Sequence, residues 1–357
     1  MRYKLFGRHT GLRVSELALG TGNFGTGWGH GAERDEARSI FDGYVAAGGN
    51  FIDTADTYQV GQSEALLGDF IAADRDYFVL ATKYTLGAGP QGKNPVADLA
   101  RTGNSRKTMI RAVEDSLKRL KTDRIDLLWT HMADGLTPME EILRGFDDLS
   151  RSGKILHAGL SNFPAWRIAR AATLAELRNT LPLAGIQVEY SLAERTPDRE
   201  LLPMAEALGL GAALWSPLGG GFLTGKYREQ QEASRLTKLG MLVHTEKSAR
   251  ETALLDAVLA VAAQVGAPAS HVAIAWLRAK AARSSTSLIP ILGPRTRAQL
   301  DGTLGALSLQ LDAAQVAALD AVSAVPLGVP HEQLQASLPR LAGGVLDKLD
   351  LPPLPVA

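Results

Sequence analysis

The chain has 357 residues, of which 45% are hydrophobic and 21% charged, as expected of a globular protein with a sizeable core. Its 38 basic residues equal its 38 acidic residues, and this balance argues against a broad nucleic-acid-binding or membrane-binding surface. Because the chain contains no cysteine, disulfides, thiolate catalysis and cysteine-ligated metals are excluded.

The amino-terminal sequence MRYKLFGRHT contains no apolar signal region. No apolar run reaches the roughly 18 residues that a membrane-spanning helix needs. We therefore predict a cytoplasmic protein that contacts neither membranes nor nucleic acid. Composition does not predict its oligomeric state.

Short apolar segments recur along the whole chain and predict eight β-strands. In chain order they are residues 17–20, 50–53, 78–83, 125–129, 157–161, 185–189, 211–215 and 288–291. Helical patterns occur between them, at residues 33–47, 63–72, 105–120, 138–152, 164–177, 199–208, 270–282 and 297–307. In one of these, Met109, Val113, Leu117 and Leu120 recur at helical spacing and would form one buried face.

Strands that alternate with helices pair in parallel and carry the helices outside the sheet. Eight such units in one chain predict an α/β fold of the (β/α)₈ TIM-barrel type. A doubly wound open sheet is the main alternative. It usually needs fewer units, and no G-x-G-x-x-G sequence follows the first strand.

Four segments fall outside the repeat. Residues 2–15 predict a β-hairpin that closes one end of the barrel, and residues 84–104 form a long βα loop of the kind that is usually functional. Residues 216–250 are a second insertion, and residues 325–357 form a C-terminal helical tail. No low-complexity linker interrupts the sequence, so we predict one domain over residues 1–357.

Polar and aromatic residues gather where the predicted strands end. In a barrel of this kind the active site lies at these positions. The residues concerned are Asp53, Lys83, His131, Ser161, Asn162, Gln187 and Trp215. Although they are far apart in sequence, we expect their side chains to point into one mouth.

Several motifs occur in a fixed order at barrel spacing. They are FIDTADTYQVGQSE at 51–64, ATK at 81–83, GLSNF at 159–163, QVEY at 187–190 and WSPLGGG at 215–221. With these motifs the chain resembles the aldo-keto reductase family over nearly its whole length, within the bacterial aryl-alcohol dehydrogenase-like and channel β-subunit-like branch. The resemblance implies interconversion of carbonyls and alcohols with a nicotinamide cofactor.

The resemblance implies a catalytic tetrad of Asp53, Tyr58, Lys83 and His131. A free phenol has a pKa of about 10, and we expect the ammonium group of Lys83 to lower the pKa of Tyr58. Asp53 would keep Lys83 charged and in place. Tyr58 would donate a proton to a carbonyl oxygen that His131 orients. No chemistry is implied for Asp56, which we expect to cap the next segment.

The resemblance also implies the residues that hold the cofactor. Ser161, Asn162 and Gln187 would hydrogen-bond the nicotinamide amide, which needs both donors and acceptors. Trp215, where the family often has Tyr, would stack on the nicotinamide ring. The pyrophosphate would be covered by the glycine-rich loop after strand seven, through Ser216, Pro217, Leu218, Gly219, Gly221 and Lys226.

A phosphate site is expected where strand eight runs into a helix. The resemblance implies that Arg295 binds the adenosine 2′-phosphate there, with Gly293, Thr296 and Gln299 nearby, and the donor fork of Arg295 suits a phosphate dianion. We therefore favour NADP(H) over NAD(H). Arg297 is an alternative ligand or a solvated helix charge. Where the family often has Glu-Asn for the adenine, residues 302–303 are Gly-Thr.

Two other functions are alternatives to a carbonyl reductase. The sequence GGFLTGKY at 220–227 resembles a P-loop, but Tyr227 stands where a Ser or Thr hydroxyl would bind Mg²⁺. A cofactor-binding regulatory subunit with little turnover is the second alternative, because the resemblance includes channel partners. The sequence predicts an NADPH-dependent oxidoreductase that interconverts an aldehyde or ketone and an alcohol, without a metal.

An aromatic pocket is expected to hold the substrate, lined by loop residues 85–104 and 132–137, the C-terminal tail, and Phe24, Trp28, Tyr58, Tyr84 and Trp129. Such a mouth favours a small carbonyl or alcohol with an apolar, aromatic or sugar-like portion. The family usually has Gly directly after the tetrad tyrosine, whereas this chain has Gln59. We expect this change to alter the loop beside the substrate.

Overall fold

The computed structural model describes residues 1–87, 101–229 and 244–351. Two short strands, β1 (Tyr3–Leu5) and β2 (Arg13–Ser15), precede eight barrel strands. These are β3 (Ala18–Gly20), β4 (Phe51–Asp53), β5 (Val79–Tyr84), β6 (Ile125–Thr130), β7 (Ile155–Ser161), β8 (Leu183–Glu189), β9 (Gly211–Trp215) and β10 (Leu288–Leu292). Each pairs with the next, and β10 closes the barrel by pairing in parallel with β3. The (β/α)₈ prediction is confirmed.

Helices surround the barrel. They are α1 (Arg34–Ala46), α2 (Gln62–Ile71), α3 (Arg106–Leu120), α4 (Met139–Arg151), α5 (Ala165–Arg178), α6 (Leu201–Ala207), α7 (Lys226–Glu229), α8 (Ala249–Val265), α9 (Ala269–Arg283), α10 (Arg297–Leu304), α11 (Ala313–Ser323) and α12 (His331–Leu341). Each of the eight predicted helices is present to within a few residues, and α12 confirms a helix in the tail. The predicted loops and tail lie partly outside the described residues.

Helices α8 and α11 have no counterpart among the predicted helices. Both are rich in alanine and apolar residues around much of their circumference, which weakens the periodic signal of an amphipathic helix. In α8, Leu254, Leu255 and Val258 are buried. The start of α11 is a capping box, in which the side chain of Asp312 accepts a hydrogen bond from the backbone N–H of Gln315.

The hairpin formed by β1 and β2 closes the barrel at the end where its strands begin. Phe6 is fully buried, and its ring lies edge-on to Phe51 and Trp129, with centroid distances of 5.5 and 6.1 Å. At Gly185 and Gly211 a Cβ atom would lie 2.6 and 3.0 Å from the ring of Phe6. The barrel wall therefore uses glycine to admit this ring, and the predicted N-terminal hairpin is confirmed.

Apolar side chains form two buried layers. Successive residues of a strand point to opposite sides of the sheet. In β6, Leu127 and Trp129 accordingly join a cluster inside the barrel, whereas Leu128 joins the cluster between strands and helices. The inner cluster surrounds Phe6 and leaves the opposite end of the barrel to polar side chains.

Among the described residues no single helix is long and apolar enough to cross a membrane. Helices α8 and α9 meet this criterion only as a pair, by length and composition, and they join at a bend of 96°.

Replacement of Phe6 by Ala is expected to destabilise the fold by about 3–5 kcal/mol, because it removes a buried ring and leaves a cavity at the closed end of the barrel. Unfolding in urea measures this loss. Leu5→Ala is the matched control, because Leu5 lies on the same hairpin and is 54% exposed. Equal losses in the two variants would contradict the proposed packing role of Phe6.

Candidate active site

The four residues of the predicted tetrad meet at the open end of the barrel. Asp53 ends β4, Lys83 lies near the end of β5, His131 follows β6, and Tyr58 begins a short 3₁₀ turn. The Nζ atom of Lys83 lies 2.5 Å from Oδ2 of Asp53 and 3.0 Å from the hydroxyl of Tyr58. It also donates to the carbonyl oxygen of Thr54, at 2.7 Å. The barrel thus brings together residues from three successive βα units.

Lys83 remains charged although it is fully buried. Burial alone would lower the pKa of its ammonium group. The Asp53 carboxylate and the Tyr58 hydroxyl act in the opposite direction and raise the pKa above its ordinary value. An ammonium group is therefore fixed directly beside the phenol.

Tyr58 keeps its proton at neutral pH. Burial raises the pKa of the phenol, and the nearby Lys83 ammonium opposes this effect without overcoming it. The Lys83 ammonium thus lowers the pKa of Tyr58 as expected, but the larger effect of desolvation leaves the net pKa above its ordinary value. The hydroxyl is held in its proton-donating form.

His131 is neutral and packs edge-on against Tyr58, with ring centroids 5.9 Å apart. Burial lowers the pKa of its imidazole to about 3, and the positive charge of Lys83 contributes to this. Its Nδ1 atom is buried and has no hydrogen-bond partner among the described residues. A neutral imidazole carries one N–H group and can donate one hydrogen bond to a bound molecule.

Asp56 is buried but takes no part in the tetrad. Burial raises the pKa of its carboxyl to about 7, with a further upward contribution from Glu64 and an opposing one from Arg119. Its Oδ1 atom has no hydrogen-bond partner within residues 1–87, 101–229 and 244–351. The N-cap of the 3₁₀ turn Tyr58–Gly61 is Thr57, and it has no side-chain cap, so the expected capping role of Asp56 is not observed.

The residues predicted to bind an amide lie directly beside the tetrad. Gln187, on β8, donates from Nε2 to Oδ1 of Asp53 at 2.8 Å, so the two oxygens of this carboxylate serve different partners. Asn162 donates to the backbone oxygen of His131 at 3.0 Å and to the hydroxyl of Ser161 at 3.1 Å. Asp53, Lys83, Tyr58 and Gln187 thus form one hydrogen-bonded network through their side chains, whereas His131 is joined to Asn162 only through its backbone oxygen.

Trp215 ends β9 with its side chain only partly buried. Its indole N–H donates to Oδ1 of Asn162 at 3.2 Å. A tyrosine at this position has no ring nitrogen and could not make this bond. The bond holds the broad aromatic face of the indole next to Asn162.

The glycine-rich loop after β9 has an unusual backbone. Ser216 and the three glycines 219–221 all have positive φ angles, between 56° and 95°. A Cβ atom at Gly221 would lie 2.8 Å from the ammonium nitrogen of Lys226, so this cation folds back over the loop. The hydroxyl of Tyr227 donates to the carbonyl of Gly220 at 2.9 Å, which is a further departure from a P-loop. Pro217 is buried and Leu218 half-buried beneath the loop.

A histidine that was not predicted from sequence fastens this loop. The backbone N–H of His244 donates to the carbonyl of Gly219 at 3.3 Å, and its Nε2 lies 3.0 Å from Oε1 of Glu189 at the end of β8. The hydrogen bond to Glu189 raises the pKa of His244. The chain thus returns to the loop after the part of the insertion that lies outside the described residues.

The predicted phosphate site lies between β10 and α10. The backbone N–H of Arg295 donates to the side chain of Gln299 at 2.8 Å, while the side chain of Asn23 donates to the carbonyl of Gly293 at 3.0 Å. Arg297 pairs with Asp301 at 2.8 Å and also bonds helix α1. The guanidinium of Arg297 therefore joins α10 to α1.

Three of the aromatic residues expected to line a pocket lie in the core instead. Phe24 and Tyr84 pack between the strands and the helices, and Trp129 lies inside the barrel against Phe6. All three are at most 1% exposed, so they offer no surface to a substrate, and that prediction is wrong for them. Trp28 is 44% exposed at the mouth, beside Tyr58.

Comparison with known proteins agrees with this geometry. The sequence model of the aldo/keto reductase family matches residues 16–324. A norsolorinic acid reductase from Aspergillus flavus is 35% identical over 334 residues, which cover 92% of this chain and 82% of that protein. An uncharacterized oxidoreductase from Bacillus subtilis is 37% identical over 321 residues, covering 87% and 93% of the two chains.

An aryl-alcohol dehydrogenase from Pestalotiopsis microspora is 32% identical over 338 residues, covering 93% of this chain and 85% of its own. The family match runs from the start of the barrel to its last packed helix, and so contains every residue of the hydrogen-bonded network. The chain belongs to the aldo/keto reductase family and is an oxidoreductase that acts on carbonyl or alcohol groups.

Proposed function

We propose that the protein is an NADPH-dependent reductase that interconverts an aldehyde or ketone and the corresponding alcohol, with Tyr58 as general acid and base. One observation carries this proposal: the ammonium group of Lys83 lies between the Asp53 carboxylate and the Tyr58 hydroxyl, at 2.5 and 3.0 Å. An ion pair that served only stability would not need a phenol as a third partner at the barrel mouth.

The proton transfer follows from the protonation states of the site. Tyr58 is protonated at neutral pH and can donate its proton to the carbonyl oxygen of a bound substrate. The Lys83 ammonium stabilises the phenolate that this leaves. Neutral His131 can donate its N–H to the same oxygen and orient it. In the reverse direction the phenolate accepts the proton of the alcohol. When bound, the nicotinamide cofactor supplies or accepts the hydride at the carbon.

The described residues fit a nicotinamide cofactor. Ser161, Asn162 and Gln187 offer donors and acceptors in the arrangement that a carboxamide needs. The half-exposed indole of Trp215 is held beside them by a hydrogen bond and would stack on the nicotinamide ring. The left-handed glycines 219–221 let the backbone approach a pyrophosphate closely, and Lys226 provides a cation there. In this proposal the 216–250 insertion covers the cofactor.

The preference for the phosphorylated cofactor rests on the segment between β10 and α10. Arg295 is half-buried at the start of this helix, whose N-terminal N–H groups favour an anion. A Cβ atom at Gly293 would meet nothing within 4 Å, so there is open space at this glycine, two residues before the arginine. Gln299 holds the backbone of Arg295 in place. These features support binding of the adenosine 2′-phosphate by Arg295.

The substrate is proposed to carry an aromatic ring. Trp28 presents a large exposed aromatic surface next to the Tyr58 hydroxyl, and planar rings stack on such a surface. The name of one relative, an aryl-alcohol dehydrogenase, points the same way. A cytoplasmic location and a single domain stay predictions from the sequence.

Replacement of Tyr58 by Phe is expected to lower kcat for carbonyl reduction by about 10²–10⁴-fold, because it removes the proton donor and keeps the ring. Steady-state rates with NADPH and an aromatic aldehyde measure the loss, and fluorescence titration should show that NADPH still binds. Tyr77→Phe is the matched control on an exposed tyrosine far from the site. Retention of more than about a tenth of kcat by Tyr58→Phe would remove Tyr58 from its role.

Carbonyl reduction is expected to be independent of pH from about pH 5 to 9. His131, with its pKa lowered to about 3, stays neutral there, and Tyr58, with its pKa raised from 10.0, stays protonated. Reduction should decline only as the pH rises through the pKa of Tyr58, while alcohol oxidation, which needs the phenolate, should increase. The measurement is kcat/KM against pH in both directions.

Two variants identify which residue causes any departure from this pH profile. Because the pKa of Asp56 is raised to about 7, Asp56→Asn shows whether its titration contributes. An acidic limb near neutral pH that disappears in His131→Asn would contradict the neutral imidazole.

Replacement of Arg295 by Ala is expected to weaken NADPH binding by about 10–100-fold and to leave NADH binding nearly constant, because a charge-assisted bond to phosphate contributes about 1.5–3 kcal/mol. Dissociation constants for both cofactors measure the ratio. Arg297→Ala is the comparison variant, since this guanidinium is engaged with Asp301. If only Arg297→Ala changes the ratio, the phosphate ligand is Arg297.

A further inference from the structure

The turn directly after Tyr58 is strained. Gln59 has φ 49° and ψ 36°, and the next residue, Val60, has φ 59° and ψ 40°. Two adjacent non-glycine residues in the left-handed region are uncommon, and a β-branched residue there is an outlier. Strain of this kind persists only where the surroundings hold it, and it occurs preferentially at functional sites.

The side chain of Gln59 is fully buried and joins the turn to a different loop. Its Nε2 donates to the carbonyl of Gly22 at 2.9 Å, and its Oε1 accepts from the backbone N–H of Trp28 at 2.9 Å. One amide group thus binds both ends of the segment 22–28, which follows β3. We call this pair of hydrogen bonds the Gln59 clip.

The segment 22–28 packs closely against the turn that carries Gln59. A Cβ atom at Gly27 would lie 2.3 Å from the backbone oxygen of Gln59, so only glycine permits the approach. A second glutamine, Gln62, accepts from the backbone N–H of Thr26 at 2.8 Å. The loop and the turn therefore pack as one unit.

Both ends of the clipped segment lie near the ring of Tyr58. A Cβ atom at Gly22 would lie 3.8 Å from the ring carbons, and the ring of Trp28 meets that of Tyr58 edge-on at a centroid distance of 6.0 Å. Trp28 is nevertheless 44% exposed, so much of its surface is available at the mouth. Gln59, which follows the proposed acid in sequence, thus holds the backbone from which the indole of Trp28 projects toward Tyr58.

We propose that Gln59 is a positioning residue that sets substrate preference: by fixing Trp28 against Tyr58 it selects carbonyl compounds with a planar aromatic ring over small aliphatic ones. A planar ring stacks on a fixed indole without the loss of freedom that ordering a mobile side chain would cost. Small aliphatic substrates have no planar surface that could stack on the indole of Trp28. The inference rests on the proposed reductase function.

Replacement of Gln59 by Gly tests the clip, because glycine adopts the left-handed conformation freely and only the side chain is lost. The ratio of kcat/KM for an aromatic aldehyde to that for butanal should fall about 10-fold, through a higher KM for the aromatic substrate. Trp28→Ala should lower the ratio similarly. The ratio in the double variant should be only slightly lower than in either single variant, because Gln59 and Trp28 act on the substrate through the same indole surface.

Val60→Gly is the matched control, because it relieves strain in the same turn and leaves the Gln59 clip intact. The inference is overturned if Gln59→Gly keeps the wild-type ratio, if its effect adds fully to that of Trp28→Ala, or if Val60→Gly lowers the ratio as much.

Hydrogen exchange separates this inference from the proposed function. The amide of Trp28 should lose protection in Gln59→Gly and keep it in Val60→Gly. If the wild-type protein reduces no aldehyde with NADPH, the proposed function fails, and this measurement still tests the clip. Unchanged protection in Gln59→Gly would overturn the clip whatever the activity.

Discussion

The buried ion pair between Asp53 and Lys83 is the interaction on which the rest of the site depends. Removing two charges from water costs several kcal/mol per ion, so such a pair persists only when other groups satisfy it. The carbonyl of Thr54 and the hydroxyl of Tyr58 accept from Lys83, and Gln187 donates to the second oxygen of Asp53. The pair therefore ties Tyr58, the proposed proton donor, to Gln187 at fixed distances.

Barrel closure explains why the sequence was sufficient to predict this cluster. Asp53 and Gln187 are 134 positions apart and yet share a hydrogen bond, because the carboxyl ends of parallel strands converge on one mouth. Strand ends are visible in a sequence as the points where apolar runs give way to polar residues. Tyr58 lies in no strand, and its position in the site is predicted only by the family resemblance. The match of the family model to residues 16–324 confirms that resemblance.

Side-chain direction and depth were harder to predict. Lys83 points into the barrel, so alternation directs Tyr84, the next residue, outward among the helices. This could have been foreseen. Trp129 points inward but lies below the site against Phe6, and its depth depends on the hairpin that fills the barrel. The net pKa direction of Tyr58 likewise depends on how completely burial removes water, which no sequence motif encodes.

Gln59 stands where the family usually has glycine, and its role can be inferred only from the three-dimensional structure. A non-glycine residue in the left-handed region costs about 1–2 kcal/mol, and each of two hydrogen bonds to backbone groups contributes about 0.5–1.5 kcal/mol. These contributions nearly cancel, so glutamine at this position gains the fold little stability over glycine. What it adds is a fixed separation between the turn that carries Tyr58 and the loop that carries Trp28. A residue that is neutral for folding but fixes one wall of the mouth is better explained by the geometry of binding than by stability.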